Sequence, residues 1–119
     1  MPARVLIVDD EDQVLTVLRH NLERLGYEVG MAGDGCEALK VLRGGERFDV
    51  VVTDILMPEC DGIELLTTVR REFPGLKVIA ISASGNELFL DSAQVLGADA
   101  VIEKPFDTET LSVQLQNLV

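Results

Sequence analysis

Four short runs of consecutive apolar residues most constrain this chain: Val5–Val8, Val50–Val52, Val78–Ile81 and Ala100–Ile102. Each is too short for a core helix. Each is also uninterrupted by the polar residues that a strand with one wet face would carry. Continuous Val- and Ile-rich runs of this length suit strands covered on both faces, as in a parallel sheet. A weaker fifth strand fits Tyr27 to Ala32. The intervening segments have helical spacing. The clearest places Leu15, Leu18, Leu22 and Leu25 on one face, with Arg19, Glu23 and Arg24 outward and Gly26 as the stop. The pattern returns with Ala38, Leu39 and Leu42, with Leu65, Leu66 and Val69, with Ala93 and Leu96, and with Leu111, Leu115 and Leu118. Strand and helix alternating five times predict an α/β fold: a single doubly wound (βα)5, flavodoxin-like domain over residues 1–119. Its five-stranded parallel sheet is expected in the order 2-1-3-4-5 with helices on both faces.

Composition narrows the function. The 119 residues carry 21 acidic and 10 basic side chains, a formal charge of -11 that opposes the phosphate attraction on which nucleic-acid binding depends. Direct nucleic-acid binding by this segment is not expected. No apolar run approaches membrane-spanning length, and the start of the chain does not read as a cleavable leader. A cytoplasmic protein with no membrane contact is the expectation. Cys36 and Cys60 stand apart, without a Cys-x-x-Cys pair or a histidine cluster, and read as ordinary reduced thiols. His20, on the first helix without a partner ligand in view, reads as a surface or half-buried imidazole.

The chemistry-bearing residues gather at strand ends. Asp9 and Asp10 follow the first run, Asp54 the third and Ser82 the fourth, while the last run leads to Lys104 before Pro105. In open α/β sheets ligands bind beyond the carboxyl ends of the strands, where the strand order reverses. With the order 2-1-3-4-5 that point lies between the first and third strands, where Asp9, Asp10 and Asp54 would meet. At an effective dielectric near 20, two like charges about 4 Å apart cost roughly 4 kcal/mol, so a cation is required among them. Mg2+ suits an all-oxygen set that supplies only a few protein ligands. A carboxylate can also be the nucleophile in forming an acyl phosphate. Lys104 would then share with the metal the charge on the phosphoryl oxygens, and Ser82 would donate a hydrogen bond to one of them.

With these residues in view, the chain resembles the response-regulator receiver domains of two-component signalling along nearly its whole length. The matching pieces are Val8-Asp9-Asp10-Glu11, the stretch from Asp54 to Pro58 followed by Asp61-Gly62, Ile81-Ser82-Ala83, and Gly97-Ala98-Asp99-Ala100 leading into Lys104-Pro105-Phe106. The resemblance implies that Asp54 is phosphorylated and that Asp9 and Asp10 hold Mg2+, with the Leu56 backbone carbonyl completing the protein ligands. It implies further that Ser82 is the switch hydroxyl, that Lys104 contacts the phosphate, and that the Lys104–Pro105 bond is cis. The expected donor is a histidine kinase or a histidine phosphotransfer protein. Where the family often carries Tyr or Phe three residues before the lysine, this chain has Val101.

The blander readings compete. Any one acid at a strand end is as readily a helix cap, and Asp10 or Asp12 would serve the first helix in that way. All of them aligned with Ser82 and Lys104 is a different matter. Leu88, Phe89 and Leu90 are consecutive, so they cannot all face a sheet, and the helix carrying them is expected to meet an output domain or partner. A signalling switch rather than an enzyme is expected, with no output domain after the last helix. A receiver-like module acting without phosphorylation is the alternative. A Mg2+-dependent phosphatase with an Asp nucleophile of the haloacid-dehalogenase type fits poorly, because its second Asp would stand where this chain has Leu56. A flavodoxin fits poorly too, since the loop after the first strand is acidic.

Overall fold

The structure is a computed structural model, which describes residues 3–55, 62–83, 97–104 and 106–118. Its elements run β1 (Arg4–Val8), α1 (Asp12–Arg24), β2 (Glu28–Ala32), α2 (Gly35–Arg43), β3 (Val50–Asp54), α3 (Gly62–Glu72), β4 (Lys77–Ala83), β5 (Ala100–Lys104) and α4 (Thr108–Leu118). The five strands form one parallel sheet in the order β2-β1-β3-β4-β5, as the apolar runs predict. The expected helix with Ala93 and Leu96, and the Leu88–Leu90 surface, lie outside the described residues.

The runs are continuous because both faces of the sheet are covered. Leu6, Val8, Val51, Val78 and Ala80 point to one side, where they pack with Ala38 and Leu42 of α2 and Leu65, Leu66 and Val69 of α3. Val5, Ile7, Val50, Val52, Ile79 and Ile81 point to the other, against Leu15 and Leu22 of α1 and Leu111 and Leu115 of α4. Alternation along each strand thus feeds two core layers rather than one core and one wet surface.

Local chemistry sets the element ends. After α1 the N–H of Gly26 donates to Glu23 O (3.0 Å) and that of Tyr27 to Leu22 O (3.1 Å), with Gly26 at φ +98°. This pair of bonds closes the helix in a Schellman turn that only a left-handed residue permits. Leu25 stands at the C-cap of α1 and is 53 % exposed, so it leaves the face shared by Leu15, Leu18 and Leu22 that its spacing had predicted. Asp34 caps α2 by accepting the N–H of Glu37 (2.8 Å), and Asp107 does the same for Thr110 before α4 (2.8 Å). The N-cap of α1 is Glu11, with no side-chain cap, so neither Asp10 nor Asp12 plays the capping part considered for it.

Candidate functional site

The sheet register builds the site. Val8 lies opposite Thr53 across β1 and β3, so Asp9 and Asp54 leave their strands side by side. Across β3 and β4 Asp54 faces Ile81, which puts Ser82 one residue further on, and across β4 and β5 Ala83 faces Lys104. The switch point therefore receives the acids from β1 and β3, the hydroxyl from β4 and the ammonium from the end of β5.

Asp9, Asp10 and Asp54 each offer a carboxylate oxygen, all within 4.8 Å of one another. Asp9 is buried, Asp54 half-buried and Asp10 exposed. Lys104 Nζ lies 2.7 Å from Asp54 Oδ2 and 3.6 Å from Asp9 Oδ2. Asp9 is further oriented by the backbone N–H of Glu11, which donates to its Oδ1 at 2.9 Å. Burial pushes the Asp9 carboxyl above its ordinary range and the Asp54 and Asp10 charges add to that, while the Glu11 N–H and Lys104 pull it back. Burial disfavours the charge on Lys104, yet its hydrogen bond to Asp54 and the attraction of Asp54 and Asp9 outweigh that and raise its pKa. One ammonium among three carboxyl groups leaves a negative pocket of hard oxygen donors. That donor set fits Mg2+.

Ser82 carries a second sign of a ligand. The residue is wholly buried, and among the described residues its hydroxyl has no hydrogen-bond partner. A buried hydroxyl left without a partner costs about 1 to 3 kcal/mol, a cost that a phosphoryl oxygen arriving at the strand ends would remove.

The stretch after Asp54 is pinned at both ends. Ile55 N–H donates to Ile81 O (2.9 Å), and Gly62 N–H donates back to Ile55 O (2.8 Å). A Cβ on Gly62 would sit 2.5 Å from Ile55 Cα and closer still to the Asp54 carbonyl oxygen, so only glycine starts α3 here. Residues 56–61, with Leu56 and Cys60, and Pro105 lie outside the described residues.

This architecture matches a known family. Residues 5–116 match the family described as response regulator receiver domain. The chain belongs to the response regulator receiver domain family. It is 34% identical over 119 residues to the alkaline phosphatase synthesis transcriptional regulatory protein PhoP of Bacillus subtilis, covering 100% of this chain and 49% of that protein. It is 35% identical over 119 residues to the response regulator MprA of a Mycobacterium species, covering 100% and 51%. The chain thus spans about half the length of these curated relatives. Among solved structures, the chemotaxis response regulator CheY4 of Vibrio cholerae superimposes with a TM-score of 0.90 at 32% identity over 100% of both chains. A response regulator receiver domain protein from Clostridium thermocellum does so at 0.93 and 30% identity, covering 98% of this chain and 93% of that one.

Val101 is partly buried and packs against the α2–α3 core layer, where its short side chain fills space without a polar tip. His20 is exposed, as expected. No helix among the described residues is long and apolar enough to cross a membrane. Cys36 overturns its reading as a reduced thiol: it is disulfide-bonded, although exposed at the second position of α2. Sequence reasoning also passed over a groove of about 650 Å³ beside Lys104, lined by Val14, Val17 and Leu18 of α1 and by Phe106. Its signal was present in Val17, an apolar residue outside the predicted core stripe and 57 % exposed.

Proposed function

We propose that this receiver domain is a phosphoacceptor switch in which Asp54 takes a phosphoryl group from a phosphohistidine of a kinase or phosphotransfer partner. The observation that carries the reading is the Asp54 carboxylate, hydrogen-bonded to Lys104 and clustered with Asp9 and Asp10. An Asp54 carboxylate oxygen forms the new bond to phosphorus as the bond from phosphorus to the imidazole nitrogen breaks, and the imidazole leaves with the electron pair and takes up a proton. Asp9, Asp10 and Asp54 would hold Mg2+, together with the Leu56 carbonyl outside the described residues. Bound there, the ion supplies neutralising charge to the transferring oxygens. Lys104 releases part of its hold on Asp54 and contacts a phosphoryl oxygen. Ser82 donates its hydroxyl, which has no partner among the described residues, to another, which draws the end of β4 toward the site and shifts the population of surfaces the domain presents.

The groove between α1 and Phe106 supports docking of the donor: it opens beside Lys104 and offers apolar area within an otherwise acidic surface. The domain acts as a switch, its own catalysis confined to gaining and losing phosphate, and works in the cytoplasm. Its charge of -11 argues against direct nucleic-acid contact.

Intact-mass measurement after incubation with acetyl phosphate, with and without Mg2+, tests the reading on the wild type and Asp54→Asn. The expected result is a Mg2+-dependent gain of one phosphoryl group that the variant lacks. An equal gain in the variant would move the acceptor elsewhere, and no gain in either would favour a module that binds partners without phosphorylation.

A further inference from the structure

Lys104 ends β5, an edge strand of five residues that pairs with β4 alone and buries one side chain, that of Ile102. Such a strand holds its last residue weakly, so the place of the ammonium beside Asp54 depends on what anchors the chain that follows. We propose that Asn21 is a positioning residue for Lys104: by hydrogen-bonding Thr108 it ties the start of α4 to α1, and so keeps the end of β5 where the ammonium meets a phosphoryl group; this role rests on the phosphoacceptor reading above.

Asn21 Nδ2 donates to Thr108 Oγ1 at 3.0 Å, across 87 residues of sequence. Both side chains are half-buried, and among the described residues no other hydrogen bond joins α1 to α4. The α1 end of the bond is firmly based, because Asn21 adjoins Leu22, which packs with Leu15 in the core layer beneath the helix. The other features near Lys104 do not replace it. Asp107 accepts the N–H and the hydroxyl of Thr110, which shapes the first turn of α4 but joins that turn to no other element. Phe106 packs against the α1–α4 layer, yet apolar contact has no direction, whereas a hydrogen bond fixes both distance and angle. Thr108 stands four residues after Lys104, and Asn21, Lys104, Phe106 and Thr108 line one groove. The bond thus acts close to the ammonium while Asn21 itself is hydrogen-bonded, among the described residues, to none of the reacting groups.

The consequence is specific to Lys104. Its Nζ lies 2.7 Å from Asp54 Oδ2, a contact that neutralises the acid and competes with a metal ion for it. Without the Thr108 anchor the ammonium leaves Asp54 more often. The acids then hold Mg2+ more tightly, and the phosphoryl group finds its charge partner misplaced. A merely structural bond would lower the stability of the fold and change neither property in protein that remains folded.

The test uses the whole chain with Thr108→Val, which removes the acceptor in a near-isosteric side chain, Asn21→Ala, which removes the donor, and Thr108→Ser, which keeps the hydroxyl. Each is made alone and together with Lys104→Met. Mg2+ affinity by calorimetric titration and phosphoryl uptake from acetyl phosphate are read at a temperature where melts show every variant folded. Thr108→Val and Asn21→Ala should each tighten Mg2+ binding, in the direction expected of Lys104→Met. Each should also slow uptake by about tenfold, short of the roughly 10²-fold that a misplacement of about 1 Å can cost. Thr108→Ser should match the wild type. With Lys104 already replaced, neither change should alter affinity or uptake further, since residues that act through one group are not additive. Wild-type affinity and uptake in folded Thr108→Val would overturn the positioning role and leave the phosphoacceptor reading standing. So would effects that persist undiminished beside Lys104→Met. A wild type that takes up no phosphate would sink the phosphoacceptor reading itself, and this role with it.

Discussion

Lys104 Nζ sits 2.7 Å from Asp54 Oδ2, so the cation assigned to the incoming phosphate already neutralises the group that would accept it. Removing the ammonium has two opposed consequences. The carboxyl cluster becomes more negative and holds Mg2+ more tightly, while the transferring phosphoryl group loses a charge partner. Lys104→Met is therefore expected to tighten Mg2+ binding several-fold by calorimetric titration. Its phosphoryl uptake from acetyl phosphate should fall by about 10²-fold, the scale of removing one electrostatic donor. A variant that binds Mg2+ more weakly would show that Lys104 organises the acids rather than competing with the ion.

The raised Asp9 carboxyl makes metal-free stability depend on pH. Between the ordinary carboxylate value and the raised folded one, the folded chain binds a proton that the unfolded chain has released. Stability of the metal-free protein thus falls as pH rises through that window, and the loss persists above it. Mg2+ relieves the loss only where the acids are ionised. At about 100 times its dissociation constant an ion adds about 2.7 kcal/mol, or several degrees of Tm. Thermal melts should show that increment at pH 7 and its disappearance as pH falls toward about 4. A Mg2+ increment of the same size at both pH values would place the ion elsewhere.

Asp9→Asn separates burial from ligation. The amide oxygen can still accept the Glu11 N–H, so the local turn survives while the buried charge is removed. Metal-free Tm should rise and the Mg2+ increment should shrink. A fall in metal-free Tm would mean that the Asp9 attraction to Lys104 outweighs its desolvation.

The fold was more legible than the site. Continuous apolar runs such as Val50–Val52 report burial on both faces, and burial is decided by side-chain character that the sequence displays directly. Leu25 misled because helical spacing extends one residue past the point where the Schellman turn reverses the chain. The meeting of Asp9, Asp54, Ser82 and Lys104 at one edge followed from strand order. That the Ser82 hydroxyl has no partner among the described residues did not, since it depends on where every neighbouring donor and acceptor settles. Asp99 was quoted only as part of a matching stretch, yet its Oδ2 accepts both the Val78 N–H (2.8 Å) and Arg70 Nη2 (2.7 Å), joining β4, β5 and α3. A contact spanning 29 residues, from Arg70 to Asp99, has no local signature.

Gly62→Ala tests the clamp on the segment after Asp54. The added methyl has backbone, not a flexible side chain, in its way, so either α3 or Asp54 and Ile55 must shift. A loss of about 1 to 3 kcal/mol on chemical denaturation is expected from overpacking of this kind. Phosphoryl uptake should fall even at temperatures where the variant is fully folded. Unchanged stability would show that the start of α3 moves freely relative to β3.

Ser82→Ala should divide stability from function. The wild-type hydroxyl is buried and has no partner among the described residues, so replacing it with a methyl removes a polar group they leave unsatisfied and creates almost no cavity. The metal-free variant is expected to be as stable as the wild type or more so, by up to about 1 kcal/mol. If that hydroxyl is held in reserve for a phosphoryl oxygen, the same variant should lose transition-state stabilisation and take up phosphate about tenfold more slowly, since a factor of ten in rate is 1.36 kcal/mol. Denaturant melts and uptake rates measured on one preparation decide the matter. A variant that is destabilised yet takes up phosphate normally would give Ser82 a purely structural place, with a partner for its hydroxyl among residues beyond those described.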